Sequence, residues 1–292
     1  MSFKELLARK QKDLTLAQRT VMKHIMEHYD EAIFLTASAL ARRADVSEAT
    51  VVRLAQSLGL KGYPEMQQML REDLQNRLST TARLEQTVQR VTDEKDVLLK
   101  VLQEDIQNLS LTLQNMPVEM FQVAVGQIMK ARNIYVIGLR GAHAPALILA
   151  LYLRYLKKAS RLLVPGYGDV WNTMHGITTD DLLIGISFPR YSRLTIEVVE
   201  YAHRQGAMVG SITDSVLSPL AEYSDWVLPA HCKLDSFIES FTASLSIANA
   251  LVTAIGIQHP EETLKALRDR EALWKEKGIY VMDEEHKRRR LP

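Results

Sequence analysis

The sequence predicts two folds in series: an all-α N-terminal domain, then an α/β domain with a parallel sheet flanked by helices. Three observations predict it. Residues 15–78 carry apolar positions at helical spacing, punctuated by caps and turns. From Asn133 the pattern changes to short β-rich apolar runs separated by helical stretches. The length of 292 residues, 47% hydrophobic and 24% charged, suits ordinary globular cores rather than a disordered chain.

In the N-terminal part, Thr15 caps a helix running to about His28, with Val21, Ile25 and Met26 at helical spacing. A second helix starts near Thr36, with Leu40 and Ala44 on one face. After the turn Asp45-Val46, Ser47 caps a third helix whose Val51, Leu54, Ala55 and Leu58 form one stripe. Gly59 stops that helix, and Tyr63-Pro64 opens another.

Residues 79–130 read as a linker at Ser79-Thr80-Thr81 followed by a connecting helix. Val97, Val101, Ile106, Leu109 and Leu113 are its apolar side, packed on the second domain or on a partner chain. The strand candidates are Ile134–Ile137, Arg161–Val164, Leu182–Ile186, Met208–Ile212 and Trp226–Leu228. A later helix is placed over Asp235 to Ala250. The expected division is 1–78, 79–130, 131–257 and a C-terminal extension, 258–292. In parallel sheets ligands sit beyond the C-terminal strand ends, which directs attention to the loops after Ile137, Ile186 and Ile212.

Lys and Arg number 36 and Asp and Glu 35, so a nucleic-acid surface would have to be a local patch. One cysteine, Cys232, excludes an internal disulfide framework and a multi-cysteine zinc site. His175, His203 and His231 have no metal-ligand spacing, so neither metal nor cofactor is expected. The charged N-terminus does not read as a signal peptide, and Ala142–Leu156 is too short to span a bilayer. A cytoplasmic protein with no membrane partner is the expectation.

The segment from Leu35 to Gly59 carries the most specific signal. Two short helices share a small core of Leu40, Val46, Val51 and Leu54, which leaves the second projecting. Its outward residues are Glu48, Ala49, Thr50, Val52, Arg53 and Gln56. In a helix-turn-helix, the N-terminal residues of such a helix reach base edges in the major groove of double-stranded DNA. Arg53 suits guanine, Thr50 a thymine methyl or a phosphate, and Glu48 a cytosine amino group. Ser47 places helix N–H groups near a phosphate, and Arg42, Arg43 and Lys61 can hold the backbone on either side. The competing reading is a plain helical hairpin with Arg53 a solvated charge.

The run Ala39-Leu-Ala, Val46-Ser-Glu-Ala-Thr-Val-Val-Arg53 and Leu58-Gly-Leu-Lys-Gly-Tyr63 closely resembles the N-terminal domain of RpiR/MurR-family bacterial transcription regulators. Residues 131–257 resemble the sugar isomerase (SIS) domain of that family, through the Gly138 loop, Asp181–Ser187, Ile212-Thr213-Asp214 and Ser218-Pro-Leu-Ala221. The resemblance implies a DNA-binding regulator, more a repressor than an activator, that forms a homodimer or homotetramer and responds to a phosphorylated sugar. It also places Glu239 near the catalytic acid of enzymatic SIS domains. Without matching partners, Glu239 is taken as a pocket or packing residue, and no catalytic residue is assigned.

The sequence departs from the family at both phosphate loops. The pattern Gly-x-Gly-x-Ser reads Gly138-Leu-Arg140-Gly141-Ala142, and Ser-x-Ser-Gly-x-Thr reads Ser187-Phe-Pro189-Arg190-Tyr-Ser192. Arg140 is bulky and Pro189 has no N–H for an anion. Two arginines in facing loops nonetheless offer planar forks to a carboxylate or phosphate. The expected ligand site is Gly138, Arg140, Gly141, Ser187, Arg190 and Ser192, with a small anionic metabolite as partner. The alternative is that both arginines make internal or inter-subunit ion pairs. His143 and Asp169 are further candidates, the first also a surface histidine and the second also a loop cap. Tyr191 and Trp171 flank the ligand or fill core, and the basic tail His286–Arg290 touches DNA or is solvated. Rival functions are a sugar-phosphate isomerase-like enzyme with an accessory helical domain, and an oligomeric scaffold.

Overall fold

The computed structural model describes residues 3, 6, 10, 14–77, 80–90, 93–156, 158–166, 169–233 and 236–280. The N-terminal helices are α1 (Leu16–Glu27), α2 (Tyr29–Ala32), α3 (Ala37–Arg43), α4 (Glu48–Ser57) and α5 (Tyr63–Arg77). Thr15 and Gln18 close a reciprocal capping box at the start of α1. Thr36 caps α3 and Ser47 caps α4, each through its side-chain oxygen. Gly59, at φ +86°, takes the left-handed turn that ends α4. Val21, Ile25, Leu40, Val51, Leu54, Met66 and Leu70 meet in one core. The buried Tyr63 hydroxyl donates to the Leu35 carbonyl at 2.6 Å and ties α5 to the turn before α3. The one-turn helix α2 has no counterpart in the sequence reading, because four residues carry no period.

Three helices, not one, follow: α6 (Thr80–Arg90), α7 (Glu94–Asn115) and α8 (Val118–Lys130). Asp93 caps α7, and Pro117 starts α8. Of the stripe expected to pack on the second domain or on a partner chain, Leu109 packs on the second-domain core, while Ile106 is 66% and Leu113 80% accessible within this chain. Beside Leu109, the polar residues Asn108 and Thr112 face the second domain. Asn108 donates to the Lys233 carbonyl at 2.7 Å, and the Thr112 hydroxyl accepts from the His231 N–H at 2.9 Å. Polar residues mark that contact because they satisfy backbone groups of an irregular segment, which a hydrophobic count overlooks.

The sheet has strands β1 (Ile134–Gly138), β2 (Ser160–Leu162), β3 (Leu182–Ile186), β4 (Met208–Thr213) and β5 (Trp226–Pro229), all parallel, in the order β2-β1-β3-β4-β5. Helices α9 (His143–Tyr155), α10 (Val170–Met174), α11 (Arg193–Arg204), α12 (Thr242–Gln258) and α13 (Pro260–Glu276) complete the fold. Side chains alternate across the strands. Ile134, Val136, Leu182 and Ile184 pack with α8, α9 and α12, while Tyr135, Ile137, Leu183 and Val209 pack with α10 and α11. This double burial explains why the strands read as unbroken apolar runs.

Asp181 braces the entry to β3. Its side chain, 0% exposed, accepts from Arg132 at 2.9 Å, Asn133 at 2.8 Å and the Thr178 N–H at 2.9 Å. Burial alone would raise its pKa, but the hydrogen bonds from Arg132, Asn133 and Thr178 outweigh that and bring it to about 2. The helix expected from Asp235 begins only at Thr242. The preceding segment is instead pinned by side chains of α6 and α7, and those tertiary hydrogen bonds override local helix propensity.

Candidate functional site

The helical hairpin α3–α4 turns at Asp45, which holds φ +52°, while the Val46 N–H donates to the Ala41 carbonyl at 2.9 Å. Val46, half-buried, joins Leu40, Val51 and Leu54 in the core beneath. Glu48, Ala49, Arg53 and Gln56 are exposed on the outer side of α4, with Thr50 and Val52 half-buried. Arg42 and Lys61 are also exposed. Two expected contacts already have internal partners. The Ser47 hydroxyl accepts from the Thr50 N–H at 3.3 Å and lies 2.9 Å from the Thr50 hydroxyl. Arg43 forms an ion pair with Glu31. That pair is solvent-exposed and therefore weak enough for a phosphate to compete.

At the C-terminal ends of β1 and β3, two loops enclose a cleft of about 460 Å³. Arg140, Gly141, Ser187, Arg190 and Ser192 all line it. Both arginines hold left-handed backbone, Arg140 at φ 56° and Arg190 at φ 64°. The loops thus keep a glycine-type conformation while carrying long cationic side chains, a form of strain that concentrates at functional sites. Helices α9 and α11 open onto these loops, and neither has a side-chain N-cap. Their N-terminal N–H groups and dipoles favour negative charge. The Ser187 hydroxyl, buried, accepts from the Ser192 N–H at 3.3 Å and sets the path of the second loop.

Glu239 and Phe241 form the other wall. The Glu239 carboxylate lies 3.6 Å from Arg190 and 2.7 Å from Arg83 of α6. Phe241 meets Phe188 edge-on at 5.6 Å and lies over Gly141, where a Cβ would come within 2.4 Å of its ring. Gly138 stands beneath the cleft, not on its lining. A Cβ there would come within 2.4 Å of the Ala142 carbonyl, so the glycine lets α9 approach β1. Phe241 and Arg193, also on the lining, were missed in the sequence. Arg193 follows Ser192 directly and was legible as a third cation; Phe241 was hidden by the helix assigned across it.

The remaining candidates scatter. His143 Nδ1 lies 3.1 Å from the Gly138 carbonyl, closing the first loop, and Asp169 caps α10 through the Trp171 N–H. Trp171 stacks edge-on with Tyr201, away from the cleft lining. Tyr191 lines the cleft, donates to Asp214 at 2.8 Å and meets Phe34 of the N-terminal domain at 6.0 Å. Cys232 packs, half-buried, on the sheet core. Among the described residues no three His, Cys, Asp or Glu side chains are grouped to hold a metal, and no helix is long and apolar enough to cross a membrane. Ser79 and the tail His286–Arg290 lie outside the described residues.

A family model for the rpiR-family helix-turn-helix domain matches residues 1–77, and one for the SIS domain matches residues 127–254. The HTH-type transcriptional regulator HexR of Pseudomonas aeruginosa is 28% identical over 256 residues, 84% of this chain and 86% of its own. The sugar isomerase domain of the RpiR transcription factor from Sphaerobacter thermophilus is 30% identical, with a TM-score of 0.58 over 60% of this chain and 97% of that one. The Vibrio vulnificus NanR protein, complexed with ManNAc-6P, shares the fold with a TM-score of 0.62 and 22% identity, over 92% of this chain and 97% of that one. With these two matched domains spanning most of its length, the chain belongs to the RpiR family of helix-turn-helix transcriptional regulators.

Proposed function

We propose that this regulator is a repressor whose affinity for double-stranded operator DNA is set by a small anionic metabolite bound in the cleft. The observation that carries the reading is the contact between Tyr191, on the second cleft loop, and Phe34, in the turn between α2 and α3. Leu217, after β4, also packs against the N-terminal core. Occupancy of the cleft thus acts one contact away from the DNA-binding domain, and coupling requires that the ligand change this contact. Glu48, Thr50 and Arg53 read bases, while Arg42, Arg43, Ser47 and Lys61 hold phosphates. Arg140 and Arg190 clamp a phosphate or carboxylate of the ligand, with Gly141, Ser187 and Ser192 beside it and Gly138 shaping the loop. ManNAc-6P in the similarly folded NanR protein agrees with an anionic ligand. Residues 1–78 form the DNA-binding unit, 79–130 the connection and 131–257 the sensing unit, before the extension 258–292. The protein acts in the cytoplasm as a homodimer or homotetramer.

Arg53→Ala is the direct test. Operator affinity should fall by about 1–3 kcal/mol, with specificity relaxed at one base. Lys61→Ala should weaken all DNA sequences alike and flatten the salt dependence. Unchanged operator affinity in a folded Arg53→Ala protein, read by fluorescence anisotropy, would remove the recognition-helix assignment. The sensing half predicts that a metabolite raising the melting temperature also weakens operator binding, and that Arg190→Ala abolishes both effects.

A further inference from the structure

Residues 236–241, just before α12, are a strap that touches both the cleft and the connecting helices. Its Glu239 and Phe241 line the cleft. From the other side, Arg83 of α6 donates to the Phe237 carbonyl at 2.9 Å and to the Glu239 carboxylate at 2.7 Å. On α7, Asp105 accepts from the Ser240 hydroxyl and, at 3.0 Å, from the Thr242 hydroxyl. Helices α6 and α7 lie on the covalent path from the DNA-binding domain to the sheet, so the strap links the cleft to that path.

Glu239 has two cationic partners, both at its Oε1. It holds Arg83 at hydrogen-bond distance and Arg190 only loosely, at 3.6 Å. Arg190 is the half-exposed member, open to a competing anion, while Arg83 is mostly covered. The Arg83 Nε is buried with no hydrogen-bond partner among the described residues, so this guanidinium is incompletely satisfied where it sits. We infer that Glu239 is a tethered anion, the internal ligand of the cleft. A small anion that takes Arg190 displaces Glu239 by competition and like-charge repulsion and loosens the Arg83 clasp on α6. The inference rests on the reading of the cleft as an anion site. It adds that the site is self-occupied and names the side chain through which its occupancy reaches the connecting helices. Because coupling is reciprocal, whatever removes the internal carboxylate must also raise affinity for an external one.

The test uses the full chain and inorganic phosphate as the probe, at constant ionic strength. Glu239→Gln removes the competing charge and keeps the shape. It should bind phosphate at least about fivefold tighter than the parent by calorimetry. Hydrogen exchange of the α6 amides should quicken when phosphate is added to the parent, and should already be fast in Glu239→Gln without phosphate. Arg190→Ala should lose phosphate binding in either background. If Arg190→Ala loses binding but Glu239→Gln binds no tighter than the parent, the tethered anion is overturned and the anion cleft stands. If phosphate binding survives Arg190→Ala unchanged, both readings fall. Absence of phosphate binding in Glu239→Gln, or α6 exchange indifferent to phosphate and to the substitution, also overturns the inference.

Discussion

At positions 140 and 190 an arginine sits where the backbone takes a glycine-type conformation. Both residues are left-handed, and the cleft lies between their side chains. A non-glycine residue in that region costs about 1 kcal/mol or more. Arg140→Gly should relieve that strain at the expense of a more flexible unfolded chain, so its net stability should be unchanged or up to about 1 kcal/mol higher. Ligand response should be lost at the same time. Thermal unfolding of the parent, Arg140→Gly and Arg140→Ala checks it: a glycine variant less stable than the alanine one would contradict the strain. The two arginines were legible in the sequence, as departures from the loop pattern of a resembling family. Their shared backbone geometry was not, because φ is set by how each loop leaves its strand and enters its helix. Glu239 was visible only as one acid among many; its two arginine partners come from residues 156 and 49 positions away.

At the scale of elements, the caps and stripes did most of the work. Thr15, Thr36 and Ser47 each cap the helix expected of them, and the apolar runs are the strands. One element junction yields a pH-dependent prediction. Asp181 braces the start of β3 with a pKa lowered from 3.8 to about 2, so the folded state binds its proton more weakly than the unfolded chain. Its contribution is complete above about pH 4 and is lost as pH falls through about 2. Asp181→Asn should therefore cost about 2 kcal/mol at neutral pH, from hydrogen bonds to a charged group, and the difference should shrink toward zero at pH 2. Urea unfolding of both proteins at pH 7, 4 and 2.5 measures it, and a gap at the lowest pH as large as that at pH 7 would mean the charge is not the cause. Elements failed where tertiary contacts replaced local preference, as in the strap before α12.

For the whole molecule, α7 carries an exposed apolar face among the described residues. Leu98, Leu102 and Ile106 fall on one exposed stripe, with Leu113 further along. Isolated exposed apolar residues need no explanation, but a stripe of them on one helix is a candidate surface for contact with another chain. In the proposed dimer or tetramer this stripe meets a second copy, so Ile106→Asp should shift the protein toward smaller species while its melting profile as a monomeric fold persists. Sedimentation velocity at micromolar concentration reads this, and an unchanged assembly would move the contact off α7 to residues 131–257. The sequence by itself determined the two fold classes, the helix-turn-helix and its caps, the parallel strands and the loops that form the cleft. Each of these is written in short-range periods, turn residues and local motifs. Only the tertiary structure decided which face of α7 is buried, where α12 begins, and that Glu239 pairs with both Arg190 and Arg83. Those outcomes depend on hydrogen bonds and ion pairs between distant segments, whose strength comes from burial and relative placement that no local pattern encodes.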